Sequence, residues 1–394
     1  MWPKNDAQAR LFATAEELAR RIAPTAAEHD RDASFPHEHF EAMRGAGYLR
    51  AAVPSEFGGD GHGLDDVALA QIALGRGDGS TALAVGMHHM VIGTEVSSRR
   101  WPEAIRDRVF RAAAEDGALI NAISAEPEMG SPRGGGRPAT TLTPTGSGEW
   151  RLDGLKTFST MSPALTFAVS LAAVDDGSGD TARVLVRMEH PGVRIEETWD
   201  SMAMRSTGSH TIHYSGVPVR DEDFLDRTHP GAPSRGGRPE AWFPILIAAA
   251  NLGVGYAARD YAVRFAQTRQ PTGMPHPISK IPHVREQVGR MEATLVAART
   301  MLLTAAEDFQ HHPEADRELA TQLPIAKRLA TEAAVEATDI AMRIVGGVGL
   351  HRSEPLERYF RDVRSGLVNP PIEARALEQI AARVLDRPSA PRPD

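Results

Sequence analysis

Apolar positions at Leu11, Ala15, Leu18 and Ile22 recur at steps of three and four, the period of a helix with one inward stripe. This helical period runs from Asp6 to about Glu115. It is broken at Pro36, at Gly58-Gly59-Asp60-Gly61 and at Gly77-Asp78-Gly79-Ser80, where Ser80 is the expected N-cap of the next helix. Between Ala118 and Arg227 the period drops to two. Trp150 to Asp153 alternates after a Gly146-Ser147-Gly148 turn, and His210 to Tyr214 alternates again. Thr166 to Val174 and Ala182 to Met188 are apolar runs separated by Asp175-Asp176-Gly177-Ser178-Gly179-Asp180, a hairpin signal. These strands predict an antiparallel β-domain. From Glu240 to about Leu385 the helical period returns. The apolar stretch from Trp242 to Ala258 reads as a buried core helix, Pro324 should open or kink a helix, and Gly346-Gly347 should end one.

The expected class is therefore α+β. An N-terminal helical domain covers 1–117, a central antiparallel β-domain 118–235, a C-terminal helical domain 236–386 and a disordered tail 387–394. A chain of 394 residues is long enough for two or three cores. Apolar residues at 41% and charged residues at 24% are those of a folded protein. The net charge of −8, without basic blocks, argues against nucleic acid as a partner. With no cysteine, disulfides, thiolate nucleophiles and iron–sulfur clusters drop out, which fits a cytoplasmic setting. The N-terminus carries no signal-peptide core, and no segment is apolar enough to suggest a membrane span.

Familiar chemistry is missing: no Walker loop, no G-x-G-x-x-G, no G-x-S-x-G and no H-E-x-x-H. His37-Glu38-His39 lacks the spacing of a metal site and is expected on a solvated helix start, while His311-His312 is expected in a surface loop. What remains is an ordered series. It comprises Asn121-Ala122-Ile123-Ser124-Ala125-Glu126-Pro127-Glu128-Met129-Gly130-Ser131, then Lys156-Thr157-Phe158-Ser159-Thr160, then Met204 to Ser209. Thr268-Arg269-Gln270 follows, and Gly346-Gly347-Val348-Gly349-Leu350 leads to Arg361-Asp362. In that order and spacing the motifs resemble the acyl-CoA dehydrogenase superfamily over nearly the whole chain. The resemblance implies helical N-terminal, β middle and four-helix-bundle C-terminal domains, and FAD as cofactor.

By this resemblance Ala122, Ser124 and Ala125 would face the flavin ring, with Gly130 and Ser131 at the pyrophosphate. Phe158 replaces the family's stacking tryptophan, and Thr160 would hydrogen-bond near N5. Arg269 of a neighbouring subunit would pair with pyrophosphate, and Gly346 and Gly347 would let backbone approach the cofactor. A homo-oligomer, dimer or tetramer, is implied.

Dehydrogenation of an acyl thioester needs a carboxylate for the α-proton and a donor for the carbonyl. At the family's usual glutamate position stands Pro370, which also lacks the N–H that would polarise the carbonyl. At the other known position stands Phe243. Glu240 and Glu373 are the substitute acids in reach of these positions, and Glu126 follows the flavin-facing segment. The expected activity is flavin-dependent α,β-dehydrogenation of a thioester by a displaced base, with electron-transfer flavoprotein as electron partner. An alternative is a reduced-flavin monooxygenase fed by a flavin reductase. It resembles a family subset with a His on an N-terminal helix, comparable with His88 or His89, and a Ser like Ser159, which would serve the oxygen step or orient substrate. A third reading is a flavin- or thioester-binding protein without turnover.

Overall fold

A computed structural model describes residues 3–129, 136–232 and 238–386; Gly130, Ser131 and the expected tail at 387–394 lie outside them. Six helices open the chain: α1 (Asp6–Ile22), α2 (Ala26–Asp32), α3 (His37–Gly45), α4 (Leu64–Gly75), α5 (Gly79–Ser98) and α6 (Glu103–Glu115). The stripe read from the sequence is the buried face of α1, and Asn5 caps it by accepting from the Gln8 N–H at 2.8 Å. Asp78, not Ser80, caps α5. Its carboxylate accepts from Thr81 N at 2.9 Å, and Ser80 lies inside the first turn. An ionised acceptor makes the stronger bond to an N-terminal amide and favours the positive end of the helix dipole.

Eight strands follow: β1 (Ile120–Ile123), β2 (Thr141–Gly146), β3 (Glu149–Ser159), β4 (Phe167–Val174), β5 (Thr181–Arg187), β6 (Val193–Glu196), β7 (His210–Arg220) and β8 (Phe224–Thr228). Their order is β6-β7-β3-β2-β4-β5-β8, with β1 pairing β4. The predicted hairpin is β4–β5, in register from Phe167 opposite Arg187 to Ala173 opposite Thr181. The sheet is not wholly antiparallel, because β1 and β2 each run parallel to β4. Alternation reports which face a side chain takes and carries no information about strand direction.

The C-terminal half holds α7 (Trp242–Thr268), α8 (Pro282–His311), α9 (Asp316–Val345), α10 (Leu356–Asp362), α11 (Ser365–Val368) and α12 (Glu373–Leu385). From Trp242 to Ala258, α7 is buried on nearly every side, with α8 and α9 on one flank and α4 and α5 on the other. The crossing with α4 is tight: a Cβ on Gly253 would lie 2.5 Å from the Ile72 carbonyl oxygen, so only glycine fits. One continuous apolar core therefore spans both helical regions and reaches into the sheet. Helix α9 runs on through Pro324 and ends at Gly346, whose φ of +69° makes the stop. His311 closes α8 and is exposed. Among the described residues no helix is long and apolar enough to cross a membrane.

Candidate active site

Where the end of β1, the end of β3, the face of α5 and the start of α7 meet, a cavity of about 1450 Å³ opens. One wall is the segment Asn121 to Ala125 with Thr157, Phe158 and Thr160. Two bonds hold it as a unit: Thr157 N donates to Ala125 O at 2.9 Å, and Asn121 Nδ2 donates to Thr160 O at 3.0 Å. In β1, Ala122 is exposed to the cavity while Asn121 and Ile123 are buried.

Phe158 is the most unusual residue of this wall. A register shift between β3 and β7 falls between Lys156 and Ser159, and Phe158 takes φ +54°, a left-handed backbone rare for an aromatic residue. The bulge turns its ring out of the sheet to 67% exposure, edge-on to Trp199 at 5.8 Å between centroids. The strain holds an apolar ring where a flat partner can lie against it.

Behind the wall runs a chain of hydroxyls. Thr207 Oγ1 donates to Met204 O at 3.0 Å, so Ser209 Oγ must donate to Thr207 at 2.7 Å and Thr160 Oγ1 to Ser209 at 2.9 Å. Each hydroxyl has one proton. Thr160 therefore presents lone pairs, not a proton, to the cavity it lines. Nearby, Lys156 Nζ donates to Glu126 Oε1 at 2.5 Å, and Glu126 also accepts from Ala139 N at 2.6 Å and Thr140 N at 3.2 Å. These bonds hold the Glu126 carboxyl below its ordinary range despite burial, and they leave it a structural anion, not a base.

The expected catalytic residues part company. Glu240 lines the cavity, as do Phe243 and Pro370, the residues at the two usual base positions. Glu373 does not. It is exposed in the first turn of α12 and paired with Arg328 at 3.0 Å. His88 and His89 are fully buried, and it is their neighbours Met87 and Met90 that reach the cavity. His88 Nε2 donates to Leu49 O at 2.7 Å and its Nδ1 accepts from Ile120 N, so it ties α5 to β1, and burial lowers its pKa to about 4. His89 packs edge-on against Tyr48 at 5.2 Å, and burial keeps it neutral too. Ser159 is fully buried, with its hydroxyl directed to Lys156 O at 3.4 Å, and it does not line the cavity. Period explains all three: Met87 and Met90, three apart on α5, share the cavity face and leave the two histidines off it, while Ser159 alternates with Phe158 and Thr160 at the end of β3.

The expected cofactor residues divide in the same way. Ala122, Ser124, Ala125, Phe158 and Thr160 share the cavity, whereas Arg269, Gly346 and Gly347 are exposed elsewhere. No motif pointed to Trp199 or to Arg183, which reaches the cavity from β5 while its Nε donates to both oxygens of Asp226 at 2.9 and 3.1 Å. The solvated-helix reading of His37 to His39 also fails in part, since His39 is 2% exposed and Glu38 meets His29 of α2 at 2.6 Å.

The wall suits a flavin. A buried Asn121 carbonyl oxygen has no partner among the described residues, an apolar ring stands ready to pack on a flat system, and Thr160 offers an acceptor beside it. Three comparisons fall in line with this. The N-terminal, middle and C-terminal domain models of the acyl-CoA dehydrogenases match residues 5–115, 122–217 and 243–385. YdbM of Bacillus subtilis (strain 168), an acyl-CoA dehydrogenase by assignment only, is 39% identical over 97% of this chain and 98% of its own. L-evernosamine nitrososynthase of Micromonospora sp. is 30% identical over 93% of this chain and 87% of its own. The solved structure of KijD3 with FMN and a dTDP-linked amino sugar superposes with a TM-score of 0.85 at 28% identity, over 98% and 95% of the two chains. The chain is a member of the acyl-CoA dehydrogenase family, a flavin-dependent oxidoreductase whose cofactor is FAD.

Proposed function

We propose that the protein is a reduced-flavin-dependent monooxygenase, acting on a small, largely apolar molecule held between the Asn121–Ala125 wall and the start of α7. The observation that carries this is that Phe243 and Pro370 both stand in the cavity wall, so the two places for an α-proton base are occupied by side chains without a proton acceptor. Loss of one carbonyl donor alone costs about 10²- to 10³-fold in rate, and proline at 370 removes that N–H.

A bound flavin supplies two electrons and its ring to the reaction. Overall, substrate, dioxygen and reduced flavin give hydroxylated substrate, water and oxidised flavin. Phe158 and Trp199 would pack the ring, and Thr160, which has a lone pair to offer, would accept an N–H from the reduced form and so favour its entry. Met87, Met90 and Phe243 give the substrate side an apolar lining that excludes water. The nitrososynthase relatives support oxygen chemistry on this scaffold.

Dehydrogenation of a thioester keeps one observation in its favour, the Glu240 carboxylate on the cavity wall. The test is direct. FAD-loaded protein is mixed anaerobically with acyl-CoA esters of several chain lengths, and separately with a flavin reductase, NADH, oxygen and a panel of small amines, sulfides and aryl compounds. Bleaching should be absent in the first, and a product heavier by one oxygen atom should form in the second. Rapid bleaching by an acyl-CoA, abolished by Glu240→Gln, would overturn the proposal.

Full cofactor binding is proposed to need a second copy of the chain. Arg269, Gly346 and Gly347 stand exposed and away from the cavity, and Leu350, on the same turn as the two glycines, is 71% exposed.

A further inference from the structure

On the N-terminal side of the molecule, away from the cavity wall, two histidines and a glutamate converge from two short helices. His29 comes from α2, and Glu38 and His39 come from the first turn of α3. Their ligand atoms all lie within 4.8 Å of one another. Glu38 Oε1 is 2.6 Å from His29 Nε2 and 3.7 Å from His39 Nε2. Ligand atoms of a tetrahedral zinc at about 2.0–2.1 Å from the metal sit about 3.3 Å apart. The observed separations bracket that figure, and the Glu38 side chain, 56% exposed, has room to adjust.

The remaining ring nitrogens are oriented as metal-bound imidazoles require. Thr81 Oγ1 gives its one proton to Asp78 Oδ2 at 2.6 Å, so at 2.8 Å it accepts from His39 Nδ1–H. That fixes the neutral tautomer of His39 and leaves its Nε2 lone pair facing the cluster, where Thr25 Oγ1 stands at 2.7 Å. His29 Nδ1 likewise meets a hydroxyl, Ser34 Oγ, at 2.7 Å. Each imidazole thus turns Nε2 inward, where without a metal His29 donates to Glu38 and His39 accepts from Thr25, while an oxygen holds its other side, the outer-shell arrangement that sets ligand orientation and basicity.

We propose that His29, Glu38 and His39 form a binding site for a divalent transition-metal ion of the zinc type, with water or the Thr25 hydroxyl in the fourth position. Two imidazole nitrogens and one carboxylate oxygen suit zinc rather than calcium or magnesium, which take oxygen sets. The ion would clip α2 to α3. The next residue of α2, Asp30, takes both arms of Arg361 at 2.6 and 3.0 Å, and its carbonyl accepts from Arg205 at 2.7 Å. Arg361 also donates to Met202 O at 2.8 Å, and Met202 lines the cavity. A clip on α2 therefore stiffens the loop that closes one side of the active site, whichever reaction that site performs.

The test uses the untagged, FAD-loaded full chain after removal of metal with a chelator. Zinc alone is titrated in competition with a chromophoric chelator, and cobalt(II) is added in parallel to read coordination from its visible bands. One zinc per chain should bind, with cobalt giving the intense bands of a four-coordinate site and the thermal midpoint rising with zinc. His29→Gln and Glu38→Gln change near-surface side chains and leave the buried His39 in place. Each should weaken zinc binding at least a hundredfold, since outer-shell changes alone cost about 10- to 100-fold. No zinc uptake by the wild-type chain, or uptake by the two variants equal to that of the wild type, would overturn the proposal. So would the pale spectrum of six-coordinate cobalt.

Discussion

Phe158 and His88 show how much one residue carries. The left-handed backbone of Phe158 costs about 1–2 kcal/mol for a side chain with a Cβ, and its ring is largely exposed, so little burial repays it. Phe158→Gly is accordingly expected to leave the flavin-free protein unchanged in urea unfolding or more stable by about 1 kcal/mol, while FAD dissociates at least tenfold more readily in fluorescence titration. A loss of stability with unchanged FAD affinity would contradict the assignment of the ring to the cofactor. For His88 the folded value of about 4 lies below the ordinary 6.5 because burial penalises the charged ring. Its contribution to stability is therefore whole above pH 6.5 and drains away as pH falls toward 4, by about 1.4 kcal/mol per pH unit. Unfolding free energies at pH 7 and pH 5 should fall more steeply for the wild type than for His88→Gln, and parallel slopes would refute this.

At the level of elements, the Lys156–Glu126 pair joins β3 to the segment that follows β1, and both side chains are buried. Lys156→Met strands a buried carboxylate, and denaturant curves should show a loss of about 3–5 kcal/mol. Adding Glu126→Gln should restore more than half of it, because the uncompensated charge is then gone. The element pattern itself was legible in the chain. The stripe of α1, the β4–β5 hairpin, the buried α7 and the stop at Gly346 all follow from periodicity and turn chemistry. The cap of α5 was misplaced by two residues, since Asp78 and Ser80 are both good caps and only the path of the chain into the helix separates them. The faces of α5 were equally illegible. A helix buried all round has no polar side to betray its orientation, so the sequence could not say that Met87 and Met90 look into the cavity while His88 and His89 look away.

For the whole molecule, the proposed second copy makes assembly and cofactor binding one property. Light scattering should give at least a dimer. Arg269→Ala should weaken FAD binding without dissociating it, whereas Leu350→Asp, on the exposed turn that carries Gly346 and Gly347, should weaken both together. A monomer with full FAD affinity would remove the shared site. Periodicity and turn residues determined by themselves the α+β layout, because it depends on local propensity and on spacing along one chain, whereas the family and the flavin came from the resemblance that the ordered motifs carry. Which acids and histidines can meet a substrate was decided by tertiary structure alone. A bulge turns Phe158 outward, helix rotation hides His88 and His89, and the packing of α2 on α3 gathers His29, Glu38 and His39. Such facing depends on how whole elements pack against one another, and no local pattern encodes it.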